Sequence, residues 1–182
     1  MGRPKCFERE DVLNKTIALF WRKGFTDTSL QDLEKETGLN KSSLYAEFDD
    51  KEGIFLESLK QYAQQSGARE ILEKKPLGWK NIEDFLRAGV TCGSKKGCFM
   101  INTIREMQNL SPAVNDAIET HIAGVKKLLM ENVRAVLPKA NVNTVTSLIM
   151  TFNAGLCLEQ NLDLKRSPDA GITDFMTMLK TH

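Results

Sequence analysis

The chain has 182 residues, enough to bury a core in one domain or in two small ones. Its 41% hydrophobic content, 12 Gly and 5 Pro exclude the disordered and fibrous classes. No apolar run is long enough to span a bilayer, and the N-terminus has no apolar signal-peptide core. We therefore expect a cytoplasmic protein without a membrane partner.

Charge does not by itself indicate a nucleic-acid-binding protein. The net charge is +1, and residues 1–52 contain nine Lys or Arg against eleven Asp or Glu. DNA affinity requires basic side chains at chosen positions rather than a basic domain. The positions that fit this requirement are Arg3, Lys5, Arg9, Lys41 and Lys51.

The first apolar pattern predicts a helix from Glu8 to Lys23. Its hydrophobic residues recur at a spacing of three or four, which gives the helix one apolar face. These residues are Leu13, Ile17, Phe20 and Trp21. Gly24 follows, where a left-handed C-terminal residue costs least.

Residues 26–55 predict a helix-turn-helix. Thr28 and Gln31 fit a capping box that opens the first short helix, and Gly38 ends it. Asn40 is the expected N-cap of the second helix, whose Leu44 and Phe48 should face inward. In a helix-turn-helix the second helix enters the major groove of DNA, where base edges are read.

A further helix is predicted after this motif, opened by a capping box of Asp49 and Glu52. Pro76 and Gly78 then break the helical pattern, and we divide the chain into domains 1–65 and 66–182. Beyond the boundary the patterns predict helices near 79–92, 99–109, 112–136, 142–162 and 168–180. The fold class is therefore all-α, with about nine helices.

Residues at the start of the second short helix have the chemistry for DNA contact. Lys41 can bind guanine or phosphate, and Ser42 and Ser43 are adaptable hydrogen-bonding groups, although serine is also common at helix starts. Tyr45 is not needed for the core and can reach a phosphate or a thymine methyl. Thr28 lies at a helix N-terminus, a geometry that suits either capping or phosphate binding.

Two further charged residues, Lys51 and Glu47, lie at or near the start of the next predicted helix. Lys51 opens a helix, where a cation is unfavourable to the dipole, and this favours an external anion as its partner. Glu47 would accept from cytosine or repel phosphate, so we leave it out of the predicted contacts.

The segment ALFWRKGFTDTSLQDLEKETGLNKSSLYAEFDDKEGIF resembles the DNA-binding domain of the tetracycline-repressor (TetR) family. The likeness covers about the first third of the chain and lies in Phe20 to Gly24, Thr28-Ser29, Gly38-Leu39 and the stretch from Leu44 to Glu52. A fainter likeness to one branch of that family lies in residues 97–102, GCFMIN, and in the N-terminal residues 2–5, GRPK.

This resemblance implies a homodimeric transcriptional regulator of operator DNA, usually a repressor released by an unidentified small-molecule effector. It implies a three-helix DNA-binding domain followed by a helical effector-binding and dimerisation domain. The positions that it places at DNA are Thr28, Ser29, Lys41, Ser42, Ser43, Tyr45 and Lys51.

The second domain offers no enzyme constellation, and we expect neither catalysis nor a cofactor. His121 and His182 are the only histidines, and no phosphate loop appears. The apolar stripes on the last two predicted helices suit either a core or the dimer interface that the family builds there. Their residues are Leu148, Phe152, Leu156, Phe175, Met178 and Leu179.

An effector cavity is expected among the helices of residues 79–160, but no contact residue is assigned. Asn102, Arg105, Glu106 and Asn153 are polar positions within apolar patterns, and for each a satisfied buried group or a surface residue is favoured over a ligand contact.

Cys98 carries the alternative function. It follows Lys95 and Lys96 and precedes an apolar helix, and both features lower a thiol pKa and favour oxidant or electrophile sensing. It is otherwise a small residue packed at a helix start. Cys92 is the candidate resolving thiol. The four cysteines (also Cys6 and Cys157) have no zinc-site spacing, so we expect no metal.

Overall fold

The computed structural model describes residues 7–91, 97–160 and 168–181. All regular structure within these ranges is helical, which confirms the all-α class. The α-helices are α1 (Arg9–Lys23), α2 (Leu30–Thr37), α3 (Lys41–Phe48), α4 (Lys51–Gln65), α5 (Ala68–Glu73), α6 (Trp79–Thr91), α7 (Phe99–Thr103), α8 (Pro112–Val136), α9 (Val142–Glu159) and α10 (Pro168–Thr181). A 3-10 helix, Ile104–Asn109, lies between α7 and α8.

Two of these elements differ from the sequence-based prediction. The short helix α5 is not predicted, because its six residues are too few to show an apolar period. The helix predicted over 99–109 is instead α7 followed by the 3-10 helix Ile104–Asn109. The tighter 3-10 turn matters for the site described below, because it carries Glu106.

The described residues form two compact units. The first unit contains the described part of Met1–Gln65 together with Asn102–Glu119. The second contains the described parts of Ser66–Ile101 and Thr120–His182. Helices α7 and α8 therefore each contribute residues to both units.

In the first unit, α1 packs against α4 through aromatic rings. Phe20 and Phe55 are buried and meet edge to face, with ring centroids 4.8 Å apart. The same interface buries two hydroxyl groups, and these satisfy each other because Thr16 and Ser58 form a hydrogen bond of 2.7 Å. This pair of helices is the base on which α2 and α3 are placed.

The start of α2 corrects the predicted capping box. The N-cap is Ser29 rather than Thr28, and its hydroxyl accepts from the Asp32 N–H at 3.1 Å while the Asp32 carboxylate accepts from the Ser29 N–H at 2.9 Å. Thr28 is buried one position earlier, and its hydroxyl donates to the Gly24 carbonyl at 2.6 Å. The pattern is displaced by one residue because Asp32 performs the task expected of Gln31.

The start of α4 is also displaced by one residue. Asp50, rather than Asp49, accepts from the Gly53 N–H at 2.8 Å. Asp49 adopts a positive φ of 68°, which turns the chain between α3 and α4. Glu52, predicted to complete the box, instead accepts from the Ser111 N–H at 2.6 Å.

In the second unit, α6 packs against α9 and α10 around a shared apolar core. Asn132 of α8 crosses this core as a buried polar link. Its side-chain oxygen accepts from the Gly78 N–H at 2.9 Å and from Asn81 at 3.0 Å, and its amide nitrogen donates to the Leu72 carbonyl at 2.8 Å. Asn132 therefore joins α8 to the segment between α5 and α6.

Candidate nucleic-acid interface

Helices α2 and α3 form the expected helix-turn-helix. Gly38 ends α2 in the left-handed conformation at φ 77°, as predicted. Asn40 caps α3 as predicted, because its side chain accepts from the Ser43 N–H at 2.9 Å. The Glu34 carboxylate of α2 adds a bond that the sequence does not reveal, accepting from the Lys41 N–H at 2.6 Å. The start of α3 is thus fixed both by its own cap and by α2.

The outward face of α3 carries the predicted contact residues. Leu44 and Phe48 are buried, so the opposite side of the helix faces solvent. Lys41 and Ser42 are exposed, and Ser43 and Tyr45 are half-buried. The Lys41 ammonium lies 5.5 Å from the centre of the Tyr45 ring, a cation–π distance. Two hydroxyls, a phenol and an ammonium therefore share one accessible surface.

Glu47 is directed to partners within the protein. Its carboxylate lies 3.2 Å from the Arg9 guanidinium, which also forms a 2.7 Å bond with Glu57 and lies 5.0 Å from the centre of the Phe48 ring. The charge that would repel phosphate is therefore balanced by Arg9. This arrangement explains how an acidic residue can occupy α3 beside Lys41 and Tyr45.

Thr28 and Ser29 have structural partners. The Thr28 side chain is 1% exposed, and both its hydroxyl and its N–H bond within the turn. A phosphate contact by Thr28 stays a prediction that requires the side chain to turn outward. Ser29 is exposed, but its hydroxyl also donates to Asp32 at 2.7 Å. Its contact with DNA stays a prediction as well.

Lys51 lies at the start of α4 above the turn between α1 and α2. Its ammonium is 4.4 Å from the centre of the Phe25 ring and 3.5 Å from the Thr26 carbonyl oxygen. Burial lowers the pKa of Lys51, while the charges of Glu106 and Asp27 act in the opposite direction. The lysine predicted to bind phosphate therefore also has partners in its own unit.

Glu106 is a functional candidate that the sequence placed elsewhere. The sequence pattern puts it among the polar positions near an effector cavity, but it lies in the first unit beside the turn before α2. Its carboxylate accepts from the N–H groups of Phe25 and Thr26 at 3.0 and 2.8 Å. Glu106 is 81 residues from Phe25 and 80 from Thr26 in the sequence. Periodicity along the sequence cannot reveal pairs that are this far apart.

The other polar positions of the predicted cavity are divided between the units. Asn102 and Arg105 belong to the first unit, whereas Asn153 belongs to the second. The Asn153 side-chain oxygen is buried without a hydrogen-bond partner, and it lies 2.8 Å from the position that a Cβ on Gly89 would occupy. These observations place Asn153 against α6 and assign no ligand to it.

Helices α9 and α10 border an apolar groove of about 540 Å³ in the second unit. The rings of Phe152 and Phe175 stack within it, with centroids 3.9 Å apart and planes 10° apart. Leu148 and Met178 remain 50% and 49% exposed along the same predicted stripes. Leu156 and Leu179 of those stripes are buried in the core instead.

Cys98 is half-buried and lies immediately before α7. Gly97, beside it, packs so closely on Cys157 that a Cβ at position 97 would meet the backbone of Cys157. Cys157 is buried, and its thiol lies 3.9 Å from the Gly89 carbonyl oxygen. Cys92, Lys95 and Lys96, which the thiol hypothesis also uses, lie outside the described residues.

The described ranges were also compared with the requirements of a metal site and of a membrane-spanning helix. No group of three His, Cys, Asp or Glu side chains there is arranged to hold a metal ion. None of the helices in those ranges is both long and apolar enough to cross a membrane. His121 is half-buried, and burial lowers its pKa.

Comparison with known proteins gives consistent matches. The family model described as "Bacterial regulatory proteins, tetR family" matches residues 12–58. The HTH-type transcriptional repressor ComR of Escherichia coli K12 is 38% identical over 127 residues, which cover 65% of this chain and 59% of ComR. The HTH-type transcriptional repressor BdcR of the same organism is 24% identical, with 85% of this chain and 80% of BdcR covered. Over ComR and the uncharacterised regulator YezE of Bacillus subtilis, the chain spans less than two thirds of the relative's length.

Solved structures share the fold. A cysteine mutant of the regulator CifR, complexed with 26 bp double-strand operator DNA, matches with a TM-score of 0.84 at 24% identity, covering 96% of this chain and 98% of CifR. The reduced form of NemR of E. coli matches with a TM-score of 0.80 at 20% identity, covering 93% and 95% of the two chains. At these identities the likeness establishes the fold alone.

The capping box of α2 predicts a pH-dependent stability. Hydrogen bonds from Lys23 and Ser29 hold the pKa of Asp32 below its ordinary value of 3.8. A carboxyl whose pKa is lower in the folded state stabilises above the unfolded-state pKa, and the effect is lost as the pH falls below that value. Asp32→Asn should therefore lower the melting temperature at neutral pH, by a difference that shrinks below about pH 4.

Circular dichroism melts of wild type and Asp32→Asn between about pH 7 and 3 measure this effect. Asp116→Asn, at an exposed position in the same unit, is the matched control and should show no such trend. A melting difference for Asp32→Asn that is constant over this range would contradict the assignment.

Proposed function

We propose that this chain, which belongs to the tetR family of bacterial regulatory proteins, is a transcriptional repressor that binds operator DNA as a homodimer and releases it when a small-molecule effector binds. In this proposal residues 1–65 bind DNA in the cytoplasm, and residues 66–182 bind the effector and dimerise. We assign no residue to the effector.

The observation that carries the proposal is the outward face of α3. Lys41, Ser42 and Tyr45 are accessible on it, while Leu44 and Phe48 anchor the other side of the helix. The major groove admits an α-helix, and ammonium and hydroxyl groups on its surface suit contacts with base edges and phosphates. The acidic Glu47 is paired with Arg9, which reduces its repulsion of an approaching phosphate.

Relatives and structural neighbours support the same function. ComR and BdcR are named transcriptional repressors, and CifR is described in complex with operator DNA. We extend this role to the present chain because the family match falls on residues 12–58, which include α2 and α3.

Selection from a random pool of duplex DNA tests the proposal, and it requires no known operator sequence. The full-length wild type should enrich a two-fold symmetric motif, with half-sites about one helical turn (roughly 34–36 Å) or a multiple of it apart. On the enriched duplex, Lys41→Ala or Tyr45→Ala should weaken binding by about 1–3 kcal/mol if the side chain reads a base. Gel-shift titration at fixed salt measures the loss.

Lys35→Ala is the matched control, because it removes an equal charge from the exposed side of α2. It should change affinity by less than about 0.5 kcal/mol, the usual range for a surface substitution. Equal losses for Lys35→Ala and Lys41→Ala would indicate a general charge effect. Wild-type affinity in both the Lys41 and Tyr45 variants would remove α3 from the proposed interface.

For the homodimer we propose the faces of α9 and α10 that border the groove. Phe152, Phe175 and Met178 line the groove, and Leu148 lies one helical turn before Phe152 on α9. In a single chain the side chains of Leu148 and Met178 are 50% and 49% exposed. Burial of such a surface in a two-fold symmetric contact would remove apolar area from water in both copies.

The double variant Leu148→Glu/Met178→Glu should be monomeric, because two buried charges without partners would oppose association. Both side chains are about half exposed, so the helices themselves should still fold. Analytical ultracentrifugation measures the mass. Ile104→Glu, an exposed apolar position in the first unit, is the control and should remain dimeric. If the double variant remains dimeric, the dimer interface does not lie on these faces of α9 and α10.

A thiol-sensing regulator that acts through Cys98 is the second candidate. It is favoured by the half-buried Cys98 beside Gly97, which itself lies against the backbone of Cys157. The CifR structure is that of a cysteine mutant, and the NemR structure is that of a reduced form. The position of Cys98 before α7 gives this candidate little further support, because a helix of five residues has only a weak dipole.

Treatment of the DNA-bound protein with hydrogen peroxide or N-ethylmaleimide separates the two candidates. If a small-molecule effector is the signal, the wild type should stay on the enriched duplex and Cys98→Ser should behave identically. If the thiol is the signal, the reagent should release the wild type but not Cys98→Ser. We expect the first result, because a half-buried small residue at a helix start is more commonly a packing residue.

A further inference from the structure

One carboxylate holds the turn between α1 and α2. Glu106 Oε1 accepts from the Phe25 N–H at 3.0 Å, and Oε2 accepts from the Thr26 N–H at 2.8 Å. Bonds from amides to an ionised carboxylate are stronger than those between neutral groups, and two parallel bonds also fix direction. Both oxygens of Glu106 are therefore committed to consecutive amides of this turn.

Gly24 completes the fit. It has φ of 81°, a region that residues with a Cβ rarely adopt. A Cβ at this position would also lie 2.6 Å from Glu106 Oε1, which is closer than atoms can pack. A side chain at position 24 would therefore displace the carboxylate from its observed position against the turn.

A cation lies at the carbonyl side of the same turn. The Lys51 ammonium is 3.5 Å from the Thr26 carbonyl oxygen and 4.4 Å from the centre of the Phe25 ring. The turn is thus bound at its N–H groups by an anion and at a carbonyl by a cation. Lys51 is one of the residues proposed to contact DNA, so this turn adjoins the proposed interface.

Hydrogen bonds continue from this turn to α3. The turn leads directly into Ser29, the N-cap of α2, and Glu34 of α2 accepts from the Lys41 N–H at 2.6 Å. Displacement of the turn would therefore shift the start of α2 and, through Glu34, the start of α3.

We propose that Glu106 is a positioning residue for DNA binding, which sets the placement of α2 and α3 from the 3-10 helix Ile104–Asn109. This inference rests on the proposed function.

Full-length Glu106→Ala and Glu106→Gln variants test the proposal. Alanine removes both acceptors, whereas glutamine keeps one acceptor and places an amide donor opposite a backbone N–H. We expect about tenfold weaker binding of the enriched duplex for Glu106→Ala and about threefold for Glu106→Gln. Amide hydrogen exchange at Phe25 and Thr26 should become faster in both variants, while the exchange of α4 amides stays unchanged.

Glu52→Gln is the matched control. It alters another carboxylate that accepts from a backbone N–H of the same unit, that of Ser111 at 2.6 Å, but it does not touch the turn before α2. Its melting temperature should fall about as far as that of Glu106→Gln. Exchange at Phe25 and Thr26 and affinity for the enriched duplex should stay at wild-type values.

The outcomes separate the inference from the function on which it rests. Failure of the wild type to enrich any duplex would reject the proposed function, while unchanged exchange at Phe25 and Thr26 in Glu106→Ala would reject the contact itself. Faster exchange with wild-type affinity would overturn the positioning role. Equal loss of affinity in Glu52→Gln would also overturn it, because general stability would then explain the result.

Discussion

The burial of Leu44 and Phe48 decides which side of α3 is accessible. An eight-residue helix is too short to be stable alone, so its position depends on the apolar side chains beneath it. Those side chains rest on a core of α1 and α4 in which Phe20 and Phe55 meet edge to face. The accessible ammonium and hydroxyl groups of α3 are thus a consequence of packing on the opposite side.

Local signals in the sequence predict most of the helices and the turn at Gly38. Asn40 is predictable because a cap requires only a side chain three residues before the amide that it binds. The predicted cap at Thr28 is wrong by one position because Thr28 is drawn into the core, a tertiary effect that no local pattern contains. The division of residues 99–109 into α7 and a 3-10 helix is likewise not indicated by the sequence pattern.

The residues of the proposed interface likewise include some that the sequence predicts and some that only the structure reveals. The outward positions of Lys41, Ser42 and the half-buried Tyr45 follow from helical periodicity once Leu44 is assigned inward, so the sequence is sufficient for them. The pairing of Glu47 with Arg9 and the bonds of Glu106 to Phe25 and Thr26 join residues far apart in the chain. Spacing alone carries no information about such pairs, and a structure is needed to find them.

The separation of Glu106 from Phe25 has a consequence for biosynthesis. The bond spans 81 positions, so all residues of α1 to α4 are synthesised well before the carboxylate that fixes the turn. Contacts of high sequence separation form late, because a long loop must close first. A nascent chain would therefore carry α2 and α3 while the turn before α2 is still solvated, and the proposed DNA-binding surface would be completed only as the later segment docks.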